Sequence, residues 1–369
     1  MRTITRRAVC LVGLLAVVGL TGCPGPKQES GTGETTPKTA DGTKPPVTPG
    51  KRFRAALVLD VGGVDDKSFN AAAWAGLQKA QKDLGLGTDD VKYVETKSAA
   101  DYTSNLRTFA TQGYDVVIAV GFAMEDALKQ VAAESPDVKF AIIDGNAPAG
   151  AVNCVSLKFK EEQGSFLAGY VAAAVSRTKK IGFVGGMQIP LIEKFEAGYK
   201  AGAKAAGFDP NTQVLASYTG DWNDISKATS QANQLFGNGV DIIFQAAGKA
   251  GLGVIRAAKE KGKGFYAIGV DRDQDDEAPG SVLTSMVKHL DTAVYDTVKK
   301  AKEGQFTPGA QLYDLKQGGI GLSEMKYTKQ DVPPAVLENV KKLSGMIADG
   351  RLTPPATLSE LAAFQPPKL

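Results

Sequence analysis

AALVLDVGGVDDKSFNAAAWAGLQKAQKDL, residues 55–84, decides the fold. Its first five residues are apolar, a length that suits a strand buried on both faces. A glycine-bearing turn follows. Then Phe69, Ala73, Leu77, Ala80 and Leu84 recur at helical spacing, one stripe of an amphipathic helix. A buried strand that turns into a helix is one half of a parallel β-α-β unit.

Working outward, the same unit recurs. Strand-like runs at 91–96 and 116–120 precede helical stretches at 102–111 and 124–133, and a further run covers 140–144. A second series starts after a strand at 154–159, with helices at 161–176, 192–206, 224–236 and 252–261. Its strands fall at 181–184, 214–218, 242–244, 266–270 and 282–286. The pattern predicts an α/β fold of two lobes, each a parallel sheet flanked by helices, over 51–158 and 159–287. Residues 288–369, with helices at 291–302 and 334–347, are expected to cross the hinge and pack on both lobes. Ligands of open parallel sheets bind beyond the carboxyl ends of the strands, so function is expected there.

Residues 1–22 read as an export signal: Arg2, Arg6 and Arg7 precede an uncharged apolar run from 8 to 20 that is too short to span a bilayer. Leu20-Thr21-Gly22-Cys23 resemble the lipobox of bacterial lipoproteins, which makes Cys23 the expected lipidation site. From 24 to 50 the only large apolar residue is Val47, so the segment lacks the surface to offset its ordering entropy and is expected to act as a flexible tether. The expected product is an exported, membrane-anchored lipoprotein.

Composition removes several classes. A net charge of +3 in 369 residues, with lysines scattered among acids, excludes the basic stripe of a nucleic-acid binder. Outside the signal and Cys23, Cys154 stands alone, so the body has no internal disulfide. His289 is the sole histidine, which removes multi-histidine metal sites and histidine-dependent triads within the chain.

Candidate binding residues cluster in the turns after strands. Asp60 and the run Asp66-Lys67-Ser68-Phe69-Asn70 follow the first, where Asp66 or Ser68 is suited to cap the helix. Phe69 fits either the cleft or the core. Trp222 lies in a strand-to-helix turn of the second lobe, placed to face Phe69 or to pack on its own lobe. Gly248 sits in a glycine-rich turn that brings backbone amides near a ligand. Asp271, Asp273 and Asp275 lie beyond another strand. They suit hydroxyl recognition, a calcium loop lacking the EF-hand glycine and glutamate, or the acid pair of a hydrolase. Lys288, just past the last strand of the second series, fits either solvated surface or a crevice position from which it pairs with these acids or donates to a hydroxyl.

Taken together, Asp60…Asp66-x-Ser68-Phe69-Asn70, Gly121-Phe122…Asp126-Ala127, Phe140–Asp144, Gly269-Val270-Asp271-x-Asp273-Gln274 and Ser285-x-x-Lys288 resemble the basic membrane protein family of bacterial lipoproteins, in order and across nearly the whole body. That family is similar to the purine nucleoside receptor lipoproteins. The resemblance implies a type I periplasmic-binding-protein fold and delivery of a nucleoside to an ABC-type permease, by a protein that is not an enzyme, uses no cofactor or metal and acts as a monomer. It implies that Phe69 and Trp222 clamp the base, although the family usually has phenylalanine at the second position. Asp60 and Asn70 would meet the polar edge of the base, Gly248 would offer backbone, and Asp271 and Lys288 would hold the ribose. A further family acid corresponds to Asp126 or Asp144, with Asp126 preferred for its Gly-Phe-x-x-x-Asp-Ala context. Rival readings are another flat ligand such as riboflavin, a sensor subunit, and a nucleoside hydrolase.

Overall fold

The computed structural model describes residues 52–368; Cys23, the export signal and the expected tether lie outside them. The first sheet is built from β1 (Ala55–Leu59), β2 (Val91–Glu95), β3 (Val116–Val120), β4 (Lys139–Ile143) and β5 (Cys154–Phe159). Helices α1 (Phe69–Asp83), α2 (Tyr102–Thr111) and α3 (Glu125–Glu134) connect its first four strands. The chain then enters the second lobe through α4 (Glu161–Val175). There β6 (Ile181–Gly185), β7 (Val214–Tyr218), β8 (Ile242–Ala246), β9 (Tyr266–Asp271) and β10 (Val282–Lys288) alternate with α5 (Pro190–Ala205), α6 (Ile225–Gly237) and α7 (Leu252–Lys261).

The remaining elements are α8 (Leu290–Lys302), β11 (Gly309–Tyr313), β12 (Ile320–Leu322), α9 (Pro334–Ala348) and α10 (Leu358–Ala363). They return to both lobes. Strand β11 adds in parallel to β5 and β12 adds antiparallel to β10, giving sheet orders β11-β5-β4-β3-β1-β2 and β12-β10-β9-β8-β6-β7. Helix α8 packs on α1 in the first lobe, whereas α9 and α10 pack on α4 and α5 in the second. The chain therefore crosses between the sheets after β5, after β10 and after β11.

Every residue of β1, β3, β6 and β8 is buried. Helices cover both faces of a parallel sheet, so its inner strands need no polar side, and this is why they read as unbroken apolar runs. The tightest helix pair is α4 with α5. A Cβ on Gly202 would lie 1.9 Å from the Phe166 carbonyl oxygen, and one on Gly169 would lie 2.0 Å from that of Tyr199, so any larger residue would force the helices apart.

Strands β11 and β12 and the short helix α10 were not expected from sequence. Only Tyr313 is buried in β11, and β12 is three residues long with a central glycine. Edge strands half in solvent carry no apolar run; their pairing is decided by partners more than a hundred residues away in β5 and some thirty-four away in β10. No helix among the described residues is long and apolar enough to cross a membrane.

Candidate functional site

The carboxyl ends of both sheets face one cleft, which holds about 670 Å³ of space open to solvent. The turn after β1 forms one wall. Asp66 turns back and caps α1, accepting from the backbone N–H groups of Ser68, Asn70 and Ala71 at 2.9, 2.8 and 3.0 Å. Burial raises the pKa of Asp66, and these donated bonds pull against that rise. The Asn70 side chain bridges the turn: its Nδ2 donates to Asp66 at 3.0 Å, and its Oδ1 accepts from the Asp60 N–H at 3.0 Å. Asp60 accepts in turn from the Val61 N–H at 2.7 Å and from the Tyr102 hydroxyl. These bonds fix the backbone that carries half-buried Phe69, the first residue of α1, into the cleft.

Trp222 belongs to the opposite wall, in the turn from β7 to α6. Asp221 braces that turn by accepting from the N–H groups of Asn223 and Asp224 at 2.5 and 2.9 Å, and Asp224 caps α6 through the Lys227 N–H at 2.8 Å. The Trp222 carbonyl accepts from the Ala250 N–H at 2.8 Å. The indole lies against Gly186, where a Cβ would come within 2.2 Å of the ring. Gly248, at φ +57°, is the other glycine beside the indole.

Between the walls lies a buried charge cluster. The Lys288 ammonium donates to both oxygens of Asp144 at 2.7 and 2.6 Å and forms an ion pair with Glu161 at 2.9 Å. It also lies 4.8, 5.5 and 5.8 Å from the ring centres of Phe159, Phe69 and Phe195. Burial alone would discharge it. Asp144, Glu161 and Asp271 outweigh that effect and hold its pKa above the ordinary lysine value. Burial likewise raises Asp144 against the pull of Lys288, while Lys288 and Lys194 overcome burial at Glu161 and hold it low. Asp271 accepts from the Ser68 hydroxyl at 2.5 Å. Its pKa is pushed up to about 7, chiefly by burial, with Lys288 and Ser68 opposing.

Of the residues expected at a site, Asp60, Phe69, Asn70, Trp222, Gly248, Asp271 and Lys288 all line this cleft. Ser68 is fully buried beside it, with its hydroxyl committed to Asp271 and no part in capping α1. Asp126 lies elsewhere: it is exposed in the first turn of α3, and the acid that lines the cleft on that side is Asp144. The Gly-Phe-x-x-x-Asp context favoured Asp126, but a helix begun at Glu125 points that carboxylate to solvent. Sequence reasoning also missed Glu161, Phe195 and Phe122. Glu161 had a legible signal, an acid where a strand gives way to a helix; Phe122 stood in the Gly121-Phe122 motif without being given a role, and Phe195 gave nothing beyond ordinary apolar periodicity.

The geometry also bears on the rival chemistries. Asp273 is exposed and does not line the cleft; it accepts from the Asp275 N–H at 2.9 Å, so it does not join Asp271 as an acid pair facing a common substrate. Among the described residues no cluster of three or more His, Cys, Asp or Glu side chains is arranged to hold a metal ion.

Residues 53–348 match the model of the Bmp family, described as ABC transporter substrate-binding protein PnrA-like. The "CD4+ T-cell-stimulating antigen" of Listeria monocytogenes is 39% identical over 83% of this chain and 88% of its own. The "ABC transporter nucleoside-binding protein BmpA" of Lactococcus lactis is 35% identical over 82% of this chain and 89% of its own. A crystal structure of an ABC transporter solute-binding protein from Aeropyrum pernix matches with a TM-score of 0.74 at 28% identity, covering 84% of this chain and 96% of that one. The two lobes thus have the architecture of type I periplasmic binding proteins, as the sequence resemblance implied.

Proposed function

The chain belongs to the Bmp family of ABC transporter substrate-binding proteins, and from that premise we propose that it binds a purine nucleoside in its inter-lobe cleft and delivers it to a membrane permease. The observation that carries this reading is one cleft with an aromatic side chain on each wall, Phe69 and Trp222, and the pair Asp271 and Lys288 between them. Two ring faces suit a flat base, and stacking of this kind contributes roughly 1–3 kcal/mol per base. A buried carboxylate, when ionised, accepts strongly from paired hydroxyls, as on a ribose. Asp60 and Asn70 meet the polar edge of the base, and Gly248 offers backbone beside the indole.

The name of the Lactococcus lactis relative supports a nucleoside as the ligand. In this reading the protein is exported, anchored through a lipid on Cys23 and held by its tether as a monomer near the permease. Ligand bridging both lobes favours the closed state, and no bond of the ligand is broken.

Calorimetric titration decides the matter. The protein, unfolded and refolded to strip carried-over ligand, is titrated with purine and pyrimidine nucleosides, free bases, ribose and riboflavin. One-to-one binding of a purine nucleoside, with its free base much weaker, is the expected result. Silence across the nucleosides overturns the proposal, and so does appearance of free base and ribose during incubation.

A further inference from the structure

Besides the Lys288–Asp144 ion pair, two bonds join the lobes directly across the cleft. The Ser68 hydroxyl, at the start of α1, donates to Asp271 Oδ2 at 2.5 Å, and Gln274 Nε2, in the turn after β9, donates to the Lys67 carbonyl oxygen at 2.9 Å. Neither Ser68 nor Gln274 lines the cleft, and both are almost wholly buried, at 0% and 1% exposure.

Each side is set for this contact by its own lobe. Gln274 Oε1 already accepts from the Val270 N–H at 3.0 Å and from Gln245 Nε2 at 2.8 Å, and the Gln274 N–H donates to Ser285 Oγ at 3.0 Å. With its oxygen held by two donors the amide cannot flip, so Nε2 must face the first lobe. On the other side Asp66 has taken over the capping of α1, which leaves the Ser68 hydroxyl without a task inside its own lobe. Lys67 adopts φ +57°, a conformation few lysines occupy, in the turn that presents its carbonyl to Gln274.

We infer that Ser68 and Gln274 form a clasp that stabilises the closed cleft without touching the ligand: the Ser68 hydroxyl ties the start of α1 to the second lobe through Asp271 Oδ2, and Gln274 hooks the backbone of the first lobe. The inference rests on the cleft being the ligand site. A contact made only in the closed state tightens every ligand by the same factor, because it shifts the equilibrium between open and closed protein. A residue that touches ligand changes the ranking among ligands instead.

The deciding experiment compares Ser68→Ala and Gln274→Ala with the wild type. Guanosine, adenosine, uridine and guanine are titrated against each, dissociation rates are followed by stopped flow, and the ligand-free proteins are measured by small-angle X-ray scattering. Removing one net hydrogen bond is expected to weaken all four ligands by a common factor of about five, through faster dissociation, and to enlarge the ligand-free radius of gyration. Should ribosides weaken while guanine does not, Ser68 acts on the ribose end of the ligand, directly or through Asp271, instead of on closure, and the inference falls. It falls equally if rates and radius match the wild type. Gln274 also braces its own lobe, so the decision rests on Ser68→Ala, which leaves the Asp66 cap in place. If the wild type binds no nucleoside, the binding proposal fails, and the scattering comparison alone still decides the clasp: an unchanged radius overturns it and an enlarged one supports it.

Discussion

The two lobes place an aspartate at the same point of the same strand order, just after β4 and at the end of β9, and use it differently. Asp144 and Asp271 both adopt positive φ, +64° and +68°, a conformation that aspartate tolerates better than most side chains. Asp144 spends both oxygens on Lys288. Asp271 meets Ser68 of the opposite lobe with one oxygen and has no direct bond to the lysine. The asymmetry follows from the crossings. Lys288 ends β10 next to the hinge, where Asp144 and Glu161 of the neighbouring crossing converge on it, while Asp271 lines the cleft opposite Ser68. The same backbone device thus serves a structural ion pair in one lobe and an available acceptor in the other.

The largest expected effect breaks the structural half of this comparison. Lys288→Met leaves Asp144 buried without its cation and Glu161 with Lys194 alone, and losing one partner of such a cluster costs about 3–5 kcal/mol. Thermal unfolding of the ligand-free protein should register that loss, and an unchanged Tm would mean the cluster is solvated in solution.

A second test exploits the raised pKa of Asp271. The carboxylate accepts hydroxyl hydrogen bonds best when ionised, and its ionised fraction falls as pH drops through about 7. Lys288, Asp144, Asp66 and Ser68 are the groups that tune it. Riboside affinity should therefore decline on the acid side, by up to about thirtyfold between pH 8 and pH 5.5, while free-base affinity holds. Titration calorimetry at the two pH values reads the difference, and parallel curves would remove Asp271 from the ribose.

Phe69→Ala should weaken nucleoside and free base alike by roughly 1–3 kcal/mol if the ring stacks on the base. Asp271→Ala should instead weaken the riboside selectively, so the pair of variants separates the two ends of the cleft in one set of titrations. The smallest effect sharpens the choice between Asp126 and Asp144. Asp126→Ala removes an exposed carboxylate outside the cleft and should leave both affinity and Tm within error; a clear loss of binding would show that α3 moves to meet the ligand.

Much of this fold is legible in the sequence alone. The strand-helix alternation, the lobe division and the location of a site at strand ends all follow from local patterns, because buried parallel strands and amphipathic helices write their environment into consecutive residues. Phe69, Trp222, Asp271 and Lys288 could be named as cleft residues because each ends a strand, occupies the turn just beyond one, or opens the helix that follows it. Asp126 shows where such reasoning stops. A local motif selected it, yet whether a carboxylate near a helix start faces the cleft or solvent depends on the helix's rotation against the sheet, which no short motif encodes.

The sequence by itself determined the architecture and the residue types available at the strand ends, since both depend on interactions between near neighbours along the chain. Only the tertiary structure decided that Asp144 and Glu161 share Lys288, that Ser68 leaves its own helix for Asp271, and that β11 and β12 return to opposite sheets. Those are contacts between residues brought together by the three crossings. At each of them a buried polar group must find a partner, and the geometry of the hinge decides which of several chemically equivalent partners it finds.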